Sequence, residues 1–366
     1  MKVVIKIGSS SLIKNSKVDV NKIEKLSKLI SFYQKENINF IIVSSGSVAV
    51  GREILGLNKI NLSIREKQAL SAIGQPDLMR EYKKKFEKNN ILVAQILLTK
   101  AELHDRKRYL NARETIEELL KYKVIPIINE NDSVSNEEIK IGDNDTLSVI
   151  VAAAINADKL IILSDIDGLY DKNPTKYEDA KLISEVYKIT EKIKKNAGGA
   201  GSNFGTGGMA TKIQAAQIAM DFGIEMSIID GEKVEKIAEI LDGKNVGTVF
   251  YPSKKDKGKK MWIAYARKEK GIIYIDDGAK KALNNGKSLL AMGIKKIEGK
   301  FKIGETLKIC DLNGKEMARG LVNYNYKELE KIMGQKSSEI EKKLGYKYQD
   351  EIIHRNNMLI TLSNRV

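Results

Sequence analysis

Residues 40–47 read Phe-Ile-Ile-Val-Ser-Ser-Gly-Ser, four apolar residues in a row that stop at a cluster of small polar ones. A continuous apolar run this short fits a strand buried on both faces, and a Gly among serines fits a turn out of it. The same device repeats along the first two-thirds of the chain. Residues 3–7 end at Gly8-Ser9-Ser10-Ser11, 124–128 at Asn129-Glu130-Asn131-Asp132, and 159–163 at Ser164-Asp165. Between these runs apolar residues recur at helical spacing, as at Val20, Ile23, Leu26, Leu29 and Ile30. Two such patterns fall around 63–88, and others at 108–121, 146–157, 209–222 and 232–241. Strands alternating with amphipathic helices predict an α/β domain, a three-layer sandwich around a mainly parallel sheet. Ligands bind beyond the carboxyl ends of the strands in such sheets, so the repeated polar endings predict one composite site along that edge.

Composition narrows the class. A chain of 366 residues exceeds one typical core, which makes two domains the default. Residues 251–260, Tyr-Pro-Ser-Lys-Lys-Asp-Lys-Gly-Lys-Lys, form a charged break. Beyond it, short runs at 262–266, 271–275, 288–297, 306–311 and 316–322 predict strands, with Asp311-Leu312-Asn313-Gly314 as a hairpin turn. The expected division is therefore an α/β domain over 1–255, a linker over 256–270, a small mostly-β domain over 271–347 and a tail over 348–366. A single Cys310 excludes an internal disulfide framework and fits a reducing, cytoplasmic setting, and no apolar run approaches the roughly 18 residues that span a bilayer. The two histidines, His104 and His354, lie far apart and suggest no zinc site.

The formal charge is +15, of which residues 256–366 carry +10 (24 Lys and Arg against 14 Asp and Glu). Lysine-rich solvated faces account for such a surplus, and its concentration in the last third also admits RNA as a partner of the small domain.

Residues 198–212 read Gly-Gly-Ala-Gly-Ser-Asn-Phe-Gly-Thr-Gly-Gly-Met-Ala-Thr-Lys. Glycines that let the backbone approach a ligand, followed by a helix start and a lysine, suit a phosphate. The P-loop spacing is absent, since Thr211 precedes Lys212 and Ile213 follows it. Read alone, the run fits a flexible surface loop equally well. Lys6 interrupts the first apolar run. It is either an edge residue whose ammonium reaches solvent, or a phosphate contact paired with Lys212. Asp145 stands where a helix opens, as an N-cap would, leaving Asp143 and Asn144 as additional polar groups. Asn129, Asn131 and Asp132 form a second polar cluster, and carboxylates with amides suit an amino-acid substrate. Ser164-Asp165 is, alone, a plain turn.

In this order, residues 5–12 (IKIGSSSL), 41–51 (IIVSSGSVAVG), 126–134 (PIINENDSV), 138–148 (EIKIGDNDTLS), 160–174 (LIILSDIDGLYDKNP) and 205–212 (GTGGMATK) resemble the amino acid kinase superfamily. Within it they are most similar to the glutamate 5-kinase family, and 271–347 resembles a PUA domain. The resemblance implies ATP-dependent phosphorylation of the L-glutamate γ-carboxylate with Mg²⁺, the first step of proline biosynthesis. It implies that Lys6 and Lys212 steady the phosphoryl group, that an Asp of the 142–145 block, Asp145, orients them, and that Asp143 serves substrate binding. Ser45, Gly46, Asn129, Asp132 and Asn144 would hold glutamate. Ser164, Asp165, Thr206, Gly207, Gly208, Met209, Ala210, Thr211 and Lys212 would line the nucleotide. No side chain is assigned to the metal, which ATP phosphates and water would carry. Feedback inhibition by proline, a homo-oligomer (dimer or tetramer) and contact with glutamyl phosphate reductase are implied by the family as well.

Overall fold

The apolar runs pack side by side in the computed structural model of the chain. It describes residues 1–14, 17–57, 61–99, 102–103, 106–134, 144–197, 208–252 and 269–360. Two compact units, Met1–Lys255 and Asp256–Val366, are taken separately.

The principal elements of the first unit, in chain order, are β1 (Lys2–Ile7), α1 (Val20–Gln34), β2 (Asn39–Val43), α2 (Ser47–Ile54), α3 (Ile64–Glu87), β3 (Val93–Leu98), α4 (Arg106–Lys121) and β4 (Ile125–Glu130). They continue with α5 (Asn144–Ala154), β5 (Lys159–Ser164), β6 (Glu185–Val186), α6 (Met209–Asp221), β7 (Glu225–Asp230), α7 (Lys236–Leu241) and β8 (Thr248–Phe250). The strands form one sheet in the order β6-β8-β7-β5-β1-β2-β4-β3. The six strands from β7 to β3 are mutually parallel, and β8 runs antiparallel to β7.

β1 is thus flanked on both sides, with Lys6 level with Val43 of β2 and Ile162 of β5. The edge reading of Lys6 is therefore excluded. Side chains alternate across a strand, so Val3, Ile5 and Ile7 share one face, where they join the core with Ile23, Leu26 and Ile30 of α1. Val4 and Lys6 share the other, on which α5 and then α6 pack. Because the strands run the same way, the ends of β1, β2, β4, β5 and β7 collect at one edge.

Two local readings differ from the sequence expectation. Residues 63–88 hold one helix, α3, whose apolar face runs through Leu70, Leu78, Tyr82 and Phe86 past Pro76 without a break. Ser63 and Glu66 close a reciprocal capping box at its start. Asp145 is not a cap: α5 already includes Asn144, and the Asp145 side chain is turned inward rather than back onto the helix end.

In the second unit β9 (Gly271–Ile275), β10 (Leu289–Leu290), β11 (Ile294–Glu298), β12 (Thr306–Asp311) and β13 (Glu316–Leu321) are followed by β14 (Glu351–Ile353) and β15 (Met358–Ile360). A five-stranded sheet has the order β11-β9-β12-β13-β15, and β10 pairs with β14. The stretch set apart in the sequence as a tail therefore contributes two paired strands. The expected strand at 262–266 and most of the expected linker lie outside the described residues. Cys310 is buried in β12.

α2 and α3 approach through glycines. A Cβ on Gly74 would stand 2.0 Å from the Ser47 carbonyl oxygen, and one on Gly51 would stand 2.0 Å from that of Leu70. Gly74→Ala must push the helices apart, and strain of this kind costs roughly 1–3 kcal/mol. Chemical unfolding of the full chain should show that loss, and an unchanged midpoint would mean the helices adjust freely.

Candidate active site

Lys6, Asp145 and Lys212 come from β1, the first turn of α5 and the first turns of α6, and meet in the interior. Lys6 Nζ lies 2.5 Å from Asp145 Oδ1, and Lys212 Nζ lies 3.3 Å from Asp145 Oδ2. Thr211 Oγ1 donates to the same Oδ2 at 3.2 Å. Asp145 is fully buried and each lysine is 4% exposed. Charges so shielded are tolerable only when paired. One carboxylate holds both ammonium groups at a single spot, and paired lysines placed together in this way suit an anion. The negative Asp145 also sits in the first turn of α5, where the helix dipole favours it.

The neighbouring residue, Asn144, faces a different cluster. Its Nδ2 donates to the Ser44 carbonyl oxygen at 2.6 Å, Ser45 Oγ at 2.7 Å and Asn129 Oδ1 at 3.1 Å. Asn129 Oδ1 also accepts from the Glu130 backbone N–H at 2.9 Å, and its Nδ2 donates to Gln75 Oε1 at 2.9 Å. Ser71 Oγ, one turn before Gln75 on α3, lies 2.9 Å from Ser47 Oγ and 3.5 Å from Asp132 Oδ2. Gly46, between Ser45 and Ser47, has φ +104°, a left-handed conformation that a side chain would strain. Ser44 shares a hydrogen bond of 3.0 Å with Tyr82, whose phenol burial pushes well above its ordinary pKa.

Of the residues singled out in the sequence, Lys6, Lys212, Asp145 and Thr211 form the charged cluster. Ser45, Asn129 and Asn144 form the amide cluster, with Gly46 in its turn and Asp132 joined through Ser71. Ser164 and Asp165 end β5, and Ser164 Oγ donates to Asp165 Oδ1 at 3.0 Å. Gly208 precedes α6, whose first residues are Met209 and Ala210, and a Cβ on Gly208 would meet nothing within 4 Å. Asp143, Thr206, Gly207 and the glycine-rich residues 198–205 lie outside the described residues. Ser44 and Ser47 stand in the sequence only as part of a polar strand end, with no role of their own, and Ser71 and Gln75 are not singled out at all. Ser71 and Gln75 do carry a signal: they stand at i and i+4 on the buried face of α3, among Leu70, Leu78 and Tyr82.

Removing the central charge tests the geometry. Asp145→Asn takes away the carboxylate that two buried ammonium groups share, which should cost roughly 3–5 kcal/mol. Urea unfolding at neutral pH measures it, and a parental midpoint would show that the lysines are not held by this carboxylate.

With this site in view, known proteins share both its scaffold and its sequence. Residues 1–230 match the amino acid kinase family, and 271–344 match the PUA domain. The glutamate 5-kinase of Caldanaerobacter subterraneus subsp. tengcongensis is 47% identical over 363 residues, spanning 98% of each chain. That of Dictyoglomus turgidum is 49% identical over 365 residues, spanning 98% of this chain and 97% of the relative. In fold alone, the structure of a carbamate kinase from Giardia lamblia bound to AMP-PNP matches with a TM-score of 0.50 at 17% identity, over 69% of this chain and 98% of that one. Near-complete alignment at almost half identity, on top of the kinase and PUA matches, leaves one conclusion: the chain belongs to the amino acid kinase family and, within it, to the glutamate 5-kinases.

Proposed function

We propose that the chain transfers the terminal phosphoryl group of ATP to the γ-carboxylate of L-glutamate, giving L-glutamyl 5-phosphate and ADP for proline biosynthesis. The observation that carries this reading is the adjacency of Asn144 and Asp145. One belongs to an amide and hydroxyl pocket, the other anchors two buried lysines, so an acceptor in the first pocket lies next to the cations of the second.

The division of labour follows from charge. A γ-carboxylate is already ionised at neutral pH, so no base is needed to activate it. The difficulty is bringing two anions together, and positioned cations supply most of what phosphoryl transfer requires. Lys6 and Lys212 offset the negative charge as the bond to the leaving oxygen breaks and the new one forms. Asp145 fixes where their ammonium groups stand. Asp132 accepts from the substrate ammonium, while Ser45, Asn129 and Asn144 frame the rest of glutamate, with Asp143 alongside. The start of α6 at Gly208, with Thr206, Gly207, Ser164 and Asp165, lines the nucleotide. Among the described residues no group of three or more His, Cys, Asp and Glu side chains could hold a metal ion. Mg²⁺ would be carried by the nucleotide phosphates and water, where it would supply further charge neutralisation. Inhibition by proline belongs to the same reading, since proline shares the α-carboxylate and ammonium of glutamate.

An ADP-release assay across glutamate, N-acetylglutamate, aspartate and carbamate, with and without proline, should give turnover with glutamate that proline lowers. Preference for another acid in the panel overturns the assignment. Lys212→Ala should lower kcat by roughly 10²–10³, or about 3–4 kcal/mol, the usual loss for one preorganised charge contact. Turnover close to the parent's would remove Lys212 from the phosphoryl site.

A further inference from the structure

We propose that Gln75 is a substrate-binding residue whose Nε2 donates to a carboxylate of the amino-acid substrate. The inference rests on the glutamate-pocket reading above.

The orientation of its amide is fixed by the network around it. Asn129 Oδ1 accepts from the Glu130 backbone N–H and from Asn144 Nδ2, so the Asn129 NH₂ group must be the one that faces Gln75. That group needs an acceptor, which puts Gln75 Oε1 toward Asn129 and turns Nε2 away from it. Gln75 is 7% exposed, its Nε2 is shut off from solvent, and no hydrogen-bond acceptor reaches it. A buried amide donor without an acceptor is destabilising, and an apolar side chain of the same shape would avoid that cost. The donor belongs to the amide that adjoins Asn129 of the amide cluster.

The chemistry of the pocket selects the ligand. Asn144 directs its own amide hydrogens at Ser44, Ser45 and Asn129. Lys6 and Lys212 are engaged with Asp145. A carboxylate entering beside Asn129 therefore needs a neutral donor, and the Gln75 amide provides one. Ser71, which touches Asp132, stands one helical turn from Gln75 on the same face. That separation, about 5–6 Å between side-chain origins, matches an ammonium group and a carboxylate on one small amino acid. A site with a buried donor of this kind rejects analogues that cannot accept from it.

Two substitutions in the full chain test this. Gln75→Glu keeps an oxygen toward Asn129 and replaces the donor by a carboxylate oxygen. Gln75→Met removes both polar atoms at similar volume. Both should raise the KM for glutamate, by about tenfold or more, while the KM for ATP stays within about twofold. Calorimetric titration of glutamate should weaken in parallel. Parental glutamate binding in either folded variant overturns the proposal, as does a common rise of both KM values, the pattern of a packing role through Asn129. Should Gln75→Glu not fold, Gln75→Met carries the test alone. The parent separates the two readings: a parent that phosphorylates another acid refutes glutamate as substrate, and the variants are then scored by the same criterion on that acid.

Discussion

The constraint on which the rest of the kinase unit depends is a single buried carboxylate shared by two buried ammonium groups. Taking such ions out of water is expensive, and mutual attraction offsets it only when the geometry is held rigidly. Asp145, Lys6 and Lys212 come from three elements far apart in sequence, so holding them fixes how α5 and α6 lie on the sheet. It also requires Lys6 on a central strand, directly between Ile5 and Ile7 of the opposite, aliphatic face. The parallel sheet is what makes this possible, since it brings the end of β1 to the same edge as the ends of β2, β4 and β5.

A second consequence concerns residues 144 and 145. Neighbouring residues on a helix diverge by about 100°, so they cannot serve the same cluster. Here one meets the amides of β4 and the turn after β2, and the other meets the lysines. The start of α5 acts as a partition between an amide pocket and a cationic one. The remaining wall of the amide pocket comes from α3, which reaches it because Gly51 and Gly74 let two helices touch backbone to backbone. A side chain at either glycine would move Ser71 and Gln75 with the helix.

Much of this was legible in the sequence, for reasons that differ by residue. Apolar runs ending in Gly8, Ser44-Ser45-Gly46, Asn129 and Ser164 announced a parallel sheet with polar strand ends, because burial on both faces leaves chemistry nowhere else to go. Lys6 stood out as a charge inside such a run. Asp145 was legible as important but not in its role, because an acidic residue at a helix start looks the same whether it caps the helix or binds a distant lysine. Ser71 and Gln75 were hidden by periodicity: a helical pattern is found through its apolar members, and polar side chains on the buried face read as interruptions. Residues 351–360 were illegible because strands of three residues carry almost no local signal and are made by their partners.

The charge surplus teaches a related lesson in the second unit. Counting lysines suggests a polyanion partner, yet several cations there are held by nearby acids. Lys280 holds Asp311, which also accepts from the backbone N–H groups of Asn313 and Lys315 and so stays below the usual carboxylate range. Arg319 spans Glu316 and Glu269, Lys308 adds to Glu316, and Lys295 reaches Asp276. These pairs brace turns and strand edges, as where Asp311 closes the hairpin between β12 and β13. Net charge is a sum over the chain, whereas recognition depends on which charges lack a local partner. In the kinase unit position decides as well: two buried lysines held on one buried carboxylate say more than all the lysines on the surface.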